Sequence, residues 1–225
     1  MNTAGHSMGG AGTATAGLAF SGSPRAPRGA LTESWNGSSW TEVGDLNTTR
    51  DSLSGAGTST AAIASGGYRL SPGGAAGETE TWNGSAWTEV ADLNTARYNT
   101  GSAGTYTASL LFGGTTPGAD QNAITESWNG SAWTETGDLP AAVNGNAGAG
   151  VSNTSALSFG GSLPAKTGAT YDWNGSSWTA GGTIATARYY LSGVGTTTAA
   201  LAINGFRTSP ASAILKFVEE YDGSS

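Results

Sequence analysis

The chain has 225 residues, 37 of them Gly and 36 Ala, with 11% charged and a formal net charge of -7. Scarce Lys and Glu exclude a coiled coil, and no apolar run approaches the roughly 20 residues of a membrane-spanning helix. Zero Cys and a single His exclude disulfide frameworks, thiolate metal sites, Cys nucleophiles and most imidazole chemistry.

Along the chain one marker recurs. Trp35-Asn-Gly-Ser-Ser-Trp40 returns as Trp82 to Trp87, Trp128 to Trp133 and Trp173 to Trp178, and Tyr221-Asp-Gly-Ser-Ser225 is a fifth copy. The first positions are 47, 46, 45 and 48 residues apart. A second marker is a small-residue strand before an apolar run: Gly10-Ala-Gly12, Gly55-Ala-Gly57, Ser102-Ala-Gly104, Gly148-Ala-Gly150 and Gly193-Val-Gly195. The chain therefore divides into repeats at approximately 1–45, 46–92, 93–138, 139–183 and 184–225.

Each repeat reads as four short strands. In the second these are about 51–57, 61–66, 78–82 and 86–91. Asn83-Gly84 is a hairpin signal, because both residues tolerate positive φ. No segment has the 3.6-residue apolar period of a helix. Four antiparallel strands every 40–50 residues is the pattern of a β-propeller blade. The expectation is an all-β, five-bladed β-propeller in one domain over residues 1–225, the last blade lacking its outermost strand.

Strand-by-strand composition suits that geometry. The first strand of each repeat is rich in Gly and Ala, as an innermost strand should be. The second is continuously apolar, as in Leu110-Leu-Phe112, which fits burial on both faces. Trp35, Trp40, Trp82, Trp87, Trp128, Trp133, Trp173 and Trp178 are read as packing in the outer blades, with sugar stacking as the alternative. The final strand is placed at 214–222. Its charges, Lys216, Glu219, Glu220 and Asp222, suit an edge strand. A complete protein, a segment of a longer array and a designed chain all remain open.

Arg97, the apolar strand ending in Gly113-Gly114, then Glu126-Ser-Trp128 and Trp133-Thr134 resemble the kelch repeat. Gly66-Gly67 and Gly160-Gly161 match the same double-glycine site. The Trp-Asn-Gly-Ser-x-Trp-Thr-Glu version is similar to repeats encoded by marine bacteria and their phages. The kelch-type Arg is present at Arg50, Arg97 and Arg188, but Gly5 and Val143 replace it in the other repeats. Ser21-Gly22 and Asn204-Gly205 replace the double glycine. The three Arg are expected to pair with carboxylates such as Asp45 and Asp92.

No catalytic constellation is visible, and no enzyme activity, metal or cofactor is expected. The lone His6 occupies a variable position shared with Asp51 and Tyr98. Six Asn-x-Ser/Thr sequons (Asn36, Asn47, Asn83, Asn129, Asn153, Asn174) are read chiefly as turn chemistry. Variation concentrates in the loops between second and third strands, which hold Arg25, Arg28, Tyr68, Arg69, Lys166, Phe206 and Arg207. Loops on a rigid scaffold are where binding residues concentrate, so these seven are the candidate ligand-binding set. Asp45, Asp92 and Asp138 share their face.

The expected role is a non-catalytic binding or adhesion module for a glycan or protein on a cell or virion surface. The alternative is a structural virion or surface-assembly subunit docking protein through the open blade edge, with self-association possible there. A pI near 4.5 argues against nucleic acid, and no membrane insertion is expected. No signal peptide is visible. The resemblance implies a virion or extracellular location.

Overall fold

A computed structural model describes residues 1–24, 29–69, 71–162, 165–207 and 213–223. It is all-β, a five-bladed β-propeller. The first sheet runs Gly9–Gly12, Gly17–Phe20, Thr32–Trp35 and Trp40–Glu42. The second runs Ser54–Thr58, Ala61–Ser65, Thr79–Trp82 and Trp87–Glu89. The third runs Gly101–Gly104, Ser109–Phe112, Thr125–Trp128 and Trp133–Glu135. The fourth runs Ala147–Ser152, Ser155–Phe159, Ala169–Trp173 and Trp178–Thr183. The fifth has three strands among the described residues, Ser192–Thr196, Ala199–Ile203 and Val218–Tyr221. By contact density the chain forms two compact units. One comprises Met1–Tyr98, Thr105–Thr107 and Asn129–Trp133; the other comprises Asn99–Gly104, Ala108–Trp128 and Thr134–Ser225.

The expected final strand needs correction. Ala213–Ile214 is not part of it but pairs with Phe206–Arg207 in a small hairpin, and the sheet strand starts at Val218. A similar hairpin joins Tyr68–Arg69 to Gly74–Ala75. Two of the variable loops are thus stiffened by backbone pairing that their composition does not announce.

The Trp-Asn-Gly-Ser-x-Trp marker makes a four-residue hairpin loop. Trp82 lies opposite Trp87, and Asn83 N donates to Ala86 O at 3.2 Å. The Asn83 Oδ1 then accepts from Ser85 N, Ala86 N and Ser85 Oγ. Asn36, Asn129 and Asn174 repeat this arrangement. The side chain acts as a local acceptor, and the following Gly takes φ 98° in the second repeat. Asn83→Ala is expected to lower stability by about 1 kcal/mol, read as a lower urea midpoint at unchanged slope. Asn83→Asp, which keeps the acceptor, should lose less.

The paired indoles have divided tasks. Trp82 Nε1 donates to Ser59 O and Trp173 Nε1 to Asn153 O, each tying a hairpin loop to the first turn of its own sheet. In the second, third and fourth sheets the second Trp of the pair reaches the sheet before it. Trp87 Nε1 donates to Thr32 Oγ1, Trp133 to Thr79 and Trp178 to Thr125, each at 3.0 Å. Phe20 meets Trp87 edge-on, as Phe112 meets Trp178. Six of the eight Trp are buried; Trp35 and Trp40 are only half-buried. A buried indole removes roughly 200 Å² from water, worth about 5 kcal/mol before entropy.

The buried Arg choose other acids than expected. Arg50 Nη1 meets Glu80 Oε1 at 2.8 Å with both side chains fully buried, and Arg188 meets Glu219 at 2.5 Å. Asp45, Asp92 and Asp138 instead accept from the backbone N–H of Thr32, Thr79 and Thr125. The acids that meet Arg50 and Arg188 are Glu80 and Glu219, each two residues before the first aromatic residue of its marker. Glu80 also accepts from Asn47 N and Thr48 N, and Glu33 takes the same bonds from Asn2 N and Thr3 N. In the fourth repeat both partners change together: Val143 stands for Arg and Tyr171 for Glu, packed in one apolar cluster.

The double-glycine site has one backbone in all five repeats. Gly66 and Gly67 have φ 65° and 115°, and Ser21-Gly22 and Asn204-Gly205 follow with 66° and 113°, 57° and 111°. The departures from the kelch pattern therefore keep its conformation, at some backbone cost at Ser21.

Candidate functional site at the loop face

A dipeptide precedes each first strand: His6-Ser7, Asp51-Ser52, Tyr98-Asn99, Asn144-Gly145 and Tyr189-Tyr190. The second member is left-handed in every repeat, with φ 56°, 56°, 56°, 59° and 51°. The first members make two-way backbone pairs with the start of a variable loop: His6 with Ser23, Asp51 with Tyr68, Asn144 with Ser162, Tyr189 with Phe206. The second members link successive repeats through their backbones. In the first unit Ser52 N donates to Ser7 O at 2.9 Å. In the second, Gly145 N donates to Asn99 O at 2.8 Å and Tyr190 N to Gly145 O at 2.7 Å. Within each unit a backbone frame thus presents its own variable side-chain pairs beside its own loops.

In the first unit the expected residues Tyr68 and Arg69 sit on the small hairpin. Tyr68 packs edge-on against Tyr98, centroids 5.0 Å apart. Arg69 meets Glu78 at 2.6 Å and is half-buried, so its charge is engaged by the protein. His6 Nδ1 lies 3.1 Å from Ser7 Oγ.

In the second unit Lys166 and Phe206 converge on Tyr189. The Lys166 ammonium stands 4.6 Å from the Tyr189 ring centre, and Phe206 meets that ring edge-on at 5.5 Å. Tyr190 lies 4.5 Å from Tyr189, is 55% exposed, and accepts from Asn99 Nδ2 at 3.3 Å. Its ring rests where a side chain at Gly145 would be: a Cβ there would come within 2.8 Å of it. Arg207 follows on the hairpin, with its Nε buried and unpaired. Arg25 and Arg28 lie outside the described residues.

Tyr189 and Tyr190 were not among the residues expected to bind. Their signal was present: Arg188-Tyr-Tyr aligns with Arg97-Tyr98, at the variable position also held by His6 and Asp51. Tyr190 is the clearest departure, since a bulky aromatic residue at positive φ is uncommon and such positions cluster at functional sites. Among the described residues no three His, Asp or Glu gather as a metal site.

No family model matches the chain, and no curated protein does. Among solved structures, that of YjhT superposes with a TM-score of 0.76 at 13% identity, covering 92% of this chain and 74% of that one. At this identity the likeness establishes the fold, a β-propeller.

Proposed function

We propose that the protein is a non-catalytic binding module that recognises a surface glycan through the loop face, with the Tyr189–Tyr190–Phe206–Lys166 cluster as its anchor. The observation that carries this reading is Tyr190, exposed yet held by a backbone frame and by the bare surface of Gly145. A flat apolar ring stacks on the C–H face of a sugar, and a pre-positioned ring loses little entropy on binding. Lys166 and Arg207 add cations for carboxylate or sulfate groups, and Asn99 adds an amide. The resemblance to kelch-type repeats of marine bacteria and their phages supports adhesion at a virion or cell surface as the setting.

The test is a glycan array with the wild type, Tyr190→Asn, and the combined Arg25, Arg28, Arg69 and Arg207→Ala variant. Asn tolerates the left-handed backbone, so folding should survive. Loss of an anchor aromatic costs more than 1 kcal/mol, so Tyr190→Asn should weaken the best glycan about tenfold. The combined variant should lose acidic glycans selectively. Unchanged binding in both would remove this face from consideration.

A further inference from the structure

Asn-Gly occurs six times, at Asn36, Asn83, Asn129, Asn144, Asn174 and Asn204. Four of these pairs open the loops of the recurring hairpin marker, and there both the Asn and the Gly are exposed, at 36–37, 83–84, 129–130 and 174–175. Among the described residues, the N–H groups of Gly37, Gly84, Gly130 and Gly175 donate to nothing. The other two glycines, Gly145 and Gly205, are buried. Gly145 N donates to Asn99 O at 2.8 Å, and Asn144 Nδ2 donates to Asp120 O and Thr115 Oγ1.

Each hairpin also surrounds its carboxamide oxygen with donors. Asn83 Oδ1 accepts from Ser85 N and Ala86 N at 3.0 Å and from Ser85 Oγ at 2.9 Å. Asn36, Asn129 and Asn174 have the same three donors, at 2.9 to 3.0 Å. Two backbone N–H groups and a hydroxyl aimed at one carbonyl oxygen form an arrangement that stabilises an oxyanion.

We propose that these four hairpins deamidate themselves, at Asn36, Asn83, Asn129 and Asn174, with water as the only co-reactant. The Gly nitrogen gives its proton to solvent base and adds to the Asn Cγ. The carboxamide oxygen takes the electron pair and is held as an oxyanion by its three donors. Collapse breaks the Cγ–Nδ2 bond, and the nitrogen takes a proton from solvent and leaves as ammonia. Water then opens the cyclic imide at either carbonyl, giving Asp or isoaspartate. Glycine suits the attacking position because it has no Cβ to crowd the approach. Holding both reacting groups in one turn makes the first step intramolecular. Gly145 and Gly205 are shielded from solvent base, and the Gly145 N–H is already bonded, so Asn144 and Asn204 stay as amides.

The fifth marker already carries the acid. Asp222 stands in the Asn position, and Gly223 keeps φ 94°, beside 94° to 98° at the other four glycines. An Asp product therefore fits the turn. Each conversion adds a negative charge to a chain already at -7. Isoaspartate instead routes the main chain through the side-chain carboxyl and lengthens a loop closed by paired indoles. The hairpins thus gain charge with the age of the folded chain.

The test is incubation of the full chain in mildly alkaline buffer, followed by peptide mapping with mass spectrometry. Asp and isoaspartate should accumulate at 36, 83, 129 and 174, while 144 and 204 stay unchanged. Ser85→Ala removes one oxyanion donor and should slow Asn83 about fivefold, the size of one hydrogen bond. The other three hairpins are internal controls and should keep their rates. In urea all six pairs should react, and Ser85→Ala should have no effect. Four intact hairpins, or Asn144 or Asn204 converting as fast as the hairpins in the folded chain, would overturn the assignment. So would an Asn83 rate indifferent to Ser85, or the same selectivity in urea.

Discussion

Arg50→Ala is expected to cost about 3–5 kcal/mol, the loss seen when one member of a buried ion pair is removed. Glu80 would then be a fully buried charge with its guanidinium gone, although Asn47 N and Thr48 N still donate to it. A single domain has about 5–15 kcal/mol in total, so the urea midpoint should fall by about a fifth or more. Arg50→Lys should recover part of the loss, since a lysine restores the charge without the planar fork. The double variant Arg50→Val with Glu80→Tyr copies what the fourth repeat does with Val143 and Tyr171. It should be markedly more stable than Arg50→Ala alone, because no charge is left stranded. A double variant no better than the single one would mean that the pair has a role beyond mutual neutralisation.

Gly55→Ala is expected to destabilise by about 3 kcal/mol, the upper part of the range for overpacking. The added Cβ would lie 2.7 Å from Gly10 O and 2.5 Å from the Phe20 ring. The first is backbone, and the second is a fully buried ring, so neither can yield without moving a strand. Gly10→Ala supplies the contrast. It occupies the same place in its repeat, but its Cβ would meet only Leu18 O at 3.5 Å. Since its φ is outside the left-handed range, Ala there should be neutral or stabilising by about 0.5 kcal/mol through the unfolded state. Thermal denaturation of the two variants separates packing from glycine entropy directly. A similar loss at both positions would show that flexibility, not the approach of neighbouring first strands, sets the requirement for Gly.

Much of this molecule was legible in its repeats. Spacing of the Trp-Asn-Gly-Ser marker set the number of blades, and Asn83-Gly84 marked the hairpin because its backbone demand is local. Apolar runs such as Leu110-Leu-Phe112 identified strands buried on both faces. Local chemistry of this kind acts within a few residues, so periodicity and turn residues are enough to read it.

The tertiary structure decided what depends on which surfaces meet. Glu80, rather than Asp45, faces Arg50, a relation between residues 30 apart that only the folded chain displays. Tyr190 became a candidate only when its left-handed backbone and its seat on Gly145, a residue 45 positions earlier, were visible. Asn144-Gly145 looks like Asn83-Gly84 in sequence. Only packing shows that the first glycine is buried with its N–H bonded while the second is exposed. Composition could place variable, basic and aromatic residues in the same loops, but convergence in space requires the frame that joins the repeats.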